Sequence, residues 1–417
     1  MKRCINIDWL ELYCLESQTD YPHNADYFRS KGYSVLERDF GTRQYAEMFT
    51  LLDYYDEPLL EIRRAPHTAT GKAIFIDPLG CHIRLTNRAC YMVNPIATIR
   101  DFLAGYGYIV VRIYRLDICL DFIRFDSGDD PKAFIRRYMD GKYTKINQTH
   151  VGAHGNDTWH ARDWNSLSWG SLKSEITTKL YCKTLELKEV KDKPYIRQSW
   201  MAAGLIDNSI TGEAHKANGT RYVPDIWRLE FSIKSSGRKV FVMNEGGQAP
   251  DPANRIKGGK KILMQHTLDM YDSSSKLLAA FAALVPHYFH FKHFSSTMRK
   301  DRCPDKILFR FMPQDTFYTL ETLATSKPKD KHLSSLLRKL YEFQAVCVKP
   351  ELYRASQSII EYLEEEQQRK ELADPNNRAQ LQALQAALSL AMSSKSSQFS
   401  SKQVNELARL IRERQIF

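Results

Sequence analysis

Residues Tyr114–Ile123 read YRLDICLDFI, and their strict alternation is the firmest statement of fold in the chain. Successive side chains of a strand point to opposite faces. Leu116, Ile118, Leu120 and Phe122 therefore form an apolar face, and Arg115, Asp117, Cys119 and Asp121 the other. Two further segments repeat the pattern. WRLEFSIK (Trp227–Lys234) sets Trp227, Leu229, Phe231 and Ile233 inward and Arg228, Glu230, Ser232 and Lys234 opposite. TKLYCK (Thr178–Lys183) makes Leu180 and Cys182 core-like, while Lys179, Tyr181 and Lys183 share the second face. If the three lie in one antiparallel sheet, their polar faces merge into a patch holding Asp117, Asp121, Glu230, Tyr181, Lys183 and Arg228.

Outward from these strands, the first part of the chain reads as short strands separated by turn signals. Expected strands are Cys4–Leu15, Ser34–Phe40, Tyr45–Leu52, Pro58–Arg64, Gly71–Asp77 and Cys81–Thr86. Asn94 and Pro95 open an amphipathic helix, a cap residue followed by proline at the first helical position. Asp130 and Pro131 start another. His150–Gly170, rich in Gly, Asn, Asp and Trp, reads as an irregular loop before a strand at Thr177–Leu187. A helix follows near Tyr195–Leu205, and residues 235–262, with GGQAPDP and IKGGKK, read as a mobile basic loop. A helix at Thr267–Leu284 and a strand at Ile307–Met312 come next. Beyond Pro328, Leu, Ala, Gln, Glu and basic residues recur at helical spacing. The expected architecture is α+β: an antiparallel-sheet catalytic domain with packed helices over residues 1–320, then an α-helical C-terminal region over 321–417.

With 417 residues and 43% hydrophobic content, the chain can bury a large core. No window reaches the roughly 18 apolar residues a membrane helix needs. Asp8 and Glu11 interrupt the only stretch resembling a leader, which points to a cytoplasmic protein. The 8 cysteines are scattered without CxxC or Cys/His spacing, so reduced core thiols are expected rather than disulfides or zinc. A net charge of +11, of which residues 316–417 carry +3, favours a polyanionic partner for the first three-quarters of the chain.

The chemistry suited to the patch is phosphoryl transfer. Carboxylates on adjacent strands are hard oxygen ligands for Mg²⁺ or Mn²⁺, which would polarise a phosphodiester and stabilise the leaving 3′-oxygen. Tyrosine, a poor nucleophile at its ordinary pKa near 10, can be activated by a neighbouring metal or lysine. The same alternation also arises in any antiparallel sheet with one solvated face.

WGSLKSEITTKLYCKTLEL (Trp169–Leu187) resembles the signature of the Rep_trans-type rolling-circle replication initiators and related relaxases. Gly170, Ser171, Lys173 and Ser174 match its first half, and Tyr181, Lys183 and Glu186 its second. RLDICLDF is similar to the family's upstream Asp-bearing strand, WRLEFSIK to its Glu-bearing strand, and IDWLELYC to its opening strand. The resemblance covers residues 5–234. It implies site-specific nicking and joining of one DNA strand, with Tyr181 as nucleophile and Asp117, Asp121 and Glu230 holding Mg²⁺ or Mn²⁺. Lys183 would steady the scissile phosphate. The sequence departs from the pattern between Ser174 and Tyr181 and at Cys182, and Tyr195 in KPYIRQSW is a rival nucleophile.

Basic residues interleaved with aromatics, as in Lys191–Trp200 and Arg221–Trp227, suit a single strand whose bases stack on rings while cations hold phosphates. Lys173, Lys179, Arg197, Arg228 and Lys234 are the expected DNA contacts. No phosphate-cradling loop with GxxxxGK[ST] spacing occurs, so unwinding would fall to a separate host helicase. The partners expected are thus origin or transfer-site DNA, a helicase and, as a homodimer, a second copy of the chain. A non-catalytic origin-binding regulator and a water-using nuclease are the competing readings.

Overall fold

The computed structural model describes residues 2–16, 22–67, 79–147, 150–157, 162–171, 174–234, 239–244, 261–264, 266–299 and 302–322, with Leu340, Gln357, Ile359 and Ile360 beyond. The expected strand Gly71–Asp77, Lys173, and the expected C-terminal helices over 321–417 lie outside the described residues except for these last few. Residues Met1–His67 and Asp77–Leu323 form one compact unit.

Eighteen strands and six α-helices are described. The strands up to the first helix-rich segment are β1 (Cys4–Leu15), β2 (Val35–Glu37), β3 (Tyr45–Leu52), β4 (Pro58–Pro66), β5 (Gly80–Leu85) and β6 (Ile109–Phe122). Then come β7 (Tyr143–Lys145), β8 (Val151–Asp157), β9 (Arg162–Trp169) and β10 (Ile176–Cys182). After the short ribbon β11 (Ala214–His215) and β12 (Arg221–Tyr222) stand β13 (Trp227–Lys234), β14 (Lys239–Asn244) and β15 (Lys261–Met264). The last are β16 (Phe291–His293), β17 (Asp305–Lys306) and β18 (Tyr318–Thr322). The helices are α1 (Ala25–Ser30), α2 (Pro95–Gly105), α3 (Pro131–Met139), α4 (Lys183–Glu189), α5 (Pro194–Ala202) and α6 (Ser274–Tyr288).

Ten strands build one sheet in the order β2-β3-β4-β5-β1-β6-β13-β10-β9-β8, with antiparallel neighbours throughout. The fold is therefore α+β on an antiparallel sheet, as the alternation predicts. The three strands with reactive faces are adjacent, with β13 between β6 and β10. Arg228 pairs with Asp121 on one side and with Tyr181 on the other.

The apolar face carries the core. Helix α6 buries Leu277, Phe281 and Leu284, and the rings of Phe281 and Phe231 lie 4.9 Å apart. Asn94 caps α2 by accepting from the Ala97 amide at 3.1 Å, and Asp130 caps α3 by accepting from Ala133 at 2.9 Å. Both caps satisfy donors that a helix start leaves unpaired.

Several expectations are corrected. His150–Gly170 is not an irregular loop, because most of it forms the β8–β9 hairpin at the sheet's end. Ile307–Met312 is not a strand, and its place is taken by the two-residue β17 and by β18. Within 235–262, β14 and the start of β15 are regular and pair with each other, while the rest lies outside the described residues. The polar face of β6 is also not solvated: Asp117, Cys119 and Asp121 are all buried. A second apolar cluster, with Cys4, Leu187, Ile196, Trp200 and Ile226, brings α4 and α5 over one end of that face.

Candidate active site

Strand β10 carries Tyr181 to its last turn of alternation, and the chain then turns into α4 at Lys183. Lys183 is thus not a third residue on the strand face, as alternation predicts. It begins a helix, with its amide donating to the Ile226 carbonyl at 2.8 Å. The change of element still returns its side chain to the same place, since Lys183 Nζ lies 3.5 Å from the Tyr181 hydroxyl. Its side chain is 1% exposed and also pairs with Glu186 one helical turn on.

The Tyr181 hydroxyl donates to Glu230 Oε2 at 3.1 Å. Burial, and then the Glu230 charge, hold the phenol well above its ordinary pKa. The Glu230 carboxyl is itself pushed up to about 7 by burial and by the charges of Asp8 and Asp117, against the pull of Arg228 and Lys179. A protonated phenol therefore faces a carboxylate whose proton affinity lies in the neutral range. That places a nucleophile beside a general base, with the proton affinity of the phenol well above that of the carboxylate. Lys179, exposed on β10, places its ammonium 4.4 Å from the centre of the Tyr181 ring.

Beside this pair sits a buried ionic knot. Arg228 is fully buried, and its Nε and Nη2 donate to the two Asp121 oxygens at 2.6 and 2.7 Å. Its Nη1 donates to Asp8 at 2.6 Å and its Nη2 to the Tyr91 hydroxyl at 2.7 Å. The Tyr91 hydroxyl donates to Asp8 at 2.7 Å, and Trp200 donates to Asp121 at 2.6 Å. A buried cation is tolerable only when it is paired and hydrogen-bonded in this way. Although burial pushes Asp8 up, Arg228 and then Lys183 outweigh it and hold its carboxyl well below the usual range.

These contacts reassign several expected residues. Arg228 is spent inside the protein and is not presented to a phosphate. Asp121 has both oxygens occupied by Arg228 and Trp200. Asp117 is held by the Arg115 guanidinium, with Nε to Oδ1 at 2.9 Å, and burial raises its carboxyl against that pull. Among the described residues no three His, Cys, Asp or Glu side chains converge as a metal-binding group. Asp117, Asp121 and Glu230 therefore share a face but do not meet as a ligand set for Mg²⁺ or Mn²⁺. Arg197 pairs with Asp192 at 3.1 Å and donates to the Ile210 carbonyl at 2.8 Å. Lys234 stands opposite Arg115 on the polar face. Tyr195 lies in the first turn of α5, its ring 5.3 Å from that of Tyr91 and its hydroxyl raised to about 12 by burial and the Asp8 charge.

Asp8 and Tyr91 are the site residues that alternation misses. The pairing of β1 with β6 slips between Ile7 and Trp9, so Asp8 is an extra residue and both Asp8 and Trp9 turn to the polar side. Tyr91 comes from a single 3₁₀ turn, Ala89–Tyr91, which has no period to read.

No protein-family model matches the sequence, and no curated protein matches it. Among solved structures, a rolling circle replication initiator protein from Geobacillus stearothermophilus is similar over 73% of this chain and 92% of that one, at 14% identity and a TM-score of 0.41. No helix among the described residues is long and apolar enough to cross a membrane.

Proposed function

We propose that this protein nicks and rejoins one strand of DNA through a phosphotyrosine, initiating rolling-circle replication or transfer of a plasmid or mobile element. The observation that carries the reading is the Tyr181 hydroxyl, 3.1 Å from the Glu230 carboxylate and 3.5 Å from the Lys183 ammonium. Glu230 accepts the phenolic proton as the Tyr181 oxygen attacks phosphorus. The Tyr181 O–P bond forms, the P–O3′ bond breaks, and the 3′-oxygen leaves as a hydroxyl, taking by way of water the proton that Glu230 accepted. Lys183 offsets charge on the phenolate and then on the phosphoryl oxygens. The phosphotyrosine keeps the bond energy for rejoining by the reverse step. Asp121 and Arg228 act as positioning residues that fix β6 against β13.

Because the three expected carboxylates do not converge, no step is routed through an ion, and the assay is run with Mg²⁺, with Mn²⁺ and with chelator. End-labelled single strands from around the coding gene are incubated with wild-type protein and with Tyr181→Phe, and covalent adducts are resolved on a denaturing gel. An adduct in the wild type that vanishes in Tyr181→Phe is expected. An adduct that survives moves the nucleophile to Tyr195, and cleavage without any adduct favours a water-using nuclease. The burial of Tyr181, 6% exposed, favours a second reading, an origin-binding regulator without chemistry. It predicts binding with neither cleavage nor adduct.

A further inference from the structure

The polar face of the sheet does not end at the candidate site. It continues across β6, β1, β5 and β4, where its side chains form two tiers. The lower tier is acidic: the Glu11, Glu61 and Asp117 side chains are 4–5% exposed. The upper tier is arginine. Arg115 is held on Asp117, Arg63 on Glu11 and Glu61, and Arg84 on Glu61, with contacts of 2.6–3.2 Å. Their side chains are 18–35% exposed, and Arg38, 3.8 Å from Glu61, is 60% exposed. Between them stands Trp9, with the Arg84 guanidinium 4.2 Å from its ring and that of Arg115 4.5 Å from it. Trp9 also donates to Glu11 at 3.1 Å.

Buried carboxylates thus hold a raised row of guanidinium groups whose outward charge is positive. Stacking on an indole and pairing beneath fix the planes of these groups, so little freedom is left to lose when a further anion is bound. A surface of guanidinium planes fixed over an indole fits phosphates and unstacked bases together, which a duplex with stacked bases does not offer. Five strand steps separate Arg63 on β4 from Tyr181 on β10, about 24 Å at the usual interstrand spacing.

From this juxtaposition we infer that the Trp9–Arg63–Arg84–Arg115 face, extended by Arg38, is a binding platform for single-stranded DNA on one side of Tyr181. The inference rests on the proposed nicking function for its substrate, and it adds where on the sheet the DNA strand is gripped and with which residues. Arginines take the phosphates, and the guanidinium planes held over the Trp9 indole take the bases.

The test measures anisotropy of labelled oligo-thymidine across a salt series with the full chain. Arg38→Ala removes an exposed guanidinium. Arg84→Gln removes a second guanidinium while Glu61 keeps Arg63 and Arg38 as ion-pair partners, and thermal unfolding verifies that the protein folds. Each is expected to weaken single-strand binding by about fivefold and to lower the salt slope by about 0.7. Wild-type affinity and slope in both folded variants would overturn the platform. So would a loss seen on duplex but not on single strands. Tyr181→Phe is carried alongside. An adduct lost there while both arginine variants bind normally removes the platform and leaves the proposed function. Binding losses with no adduct in any protein remove the nicking and leave the platform.

Discussion

Replacing Glu230 by glutamine takes away the proton acceptor of Tyr181 while keeping the side chain's shape. The carboxyl titrates at about 7, so roughly one tenth is ionised at pH 6 and roughly nine tenths at pH 8. If Glu230 accepts the phenolic proton, single-turnover adduct formation by the wild type should rise about tenfold between those values. The Glu230→Gln protein should react about 10²–10⁴ times more slowly, with that rise gone. The same titration bears on stability. The folded carboxyl lies above its ordinary value of 4.5, so the folded state keeps a proton that the unfolded chain releases. Stability is therefore lost as pH rises from about 4.5 through about 7. The neutral glutamine escapes this loss and should leave the variant more stable than wild type at pH 8, by at most about 3 kcal/mol. Quench-flow on labelled oligonucleotide and thermal scans at the two pH values measure both effects. A flat wild-type profile, or the same rise in Glu230→Gln, would refute the assignment.

Two further outcomes follow from packing. Arg228→Met leaves Asp121 and Asp8 without their cation in a buried setting, a cost of about 3–5 kcal/mol, and calorimetry should show Tm lower by on the order of 10 °C. A change of a degree or two would mean that the knot is hydrated. Phe281→Ala opens a cavity against Phe231 on the opposite face and should cost about 3–5 kcal/mol, read by Tm, while the pH profile of adduct formation keeps its shape.

Alternation in Tyr114–Ile123, Thr178–Cys182 and Trp227–Lys234 made the central strands and their shared face legible, because side-chain period survives any sheet order. It did not show what covers that face. Asp121 and Arg228 look like solvated charges in sequence, yet α5 and the Tyr91 turn bury them. That burial depends on contacts between residues 79 to 220 positions apart, which no local pattern carries. Asp8 was hidden by a one-residue slip in β1, since a bulge resets the period. Alternation puts Lys183 on the strand, because it continues the period of Lys179 and Tyr181 although the chain turns into α4 at that residue. In the β8–β9 hairpin, glycine and asparagine sit within strands and read as loop.

The position of β13 has a consequence for biosynthesis. Among the described residues, strands β1–β6 and β8–β10 are hydrogen-bonded into one sheet only through it, so a nascent chain that has not yet delivered residues 227–234 holds two unfinished sheets. In that interval β6 and β10 each present a long open edge, and Asp121 waits for a cation still to be made, with Arg228 pairing to Asp8 across 220 residues. Open edges of this kind invite pairing with other chains. The eight residues WRLEFSIK therefore close the molecule against aggregation in the same step that assembles its polar centre.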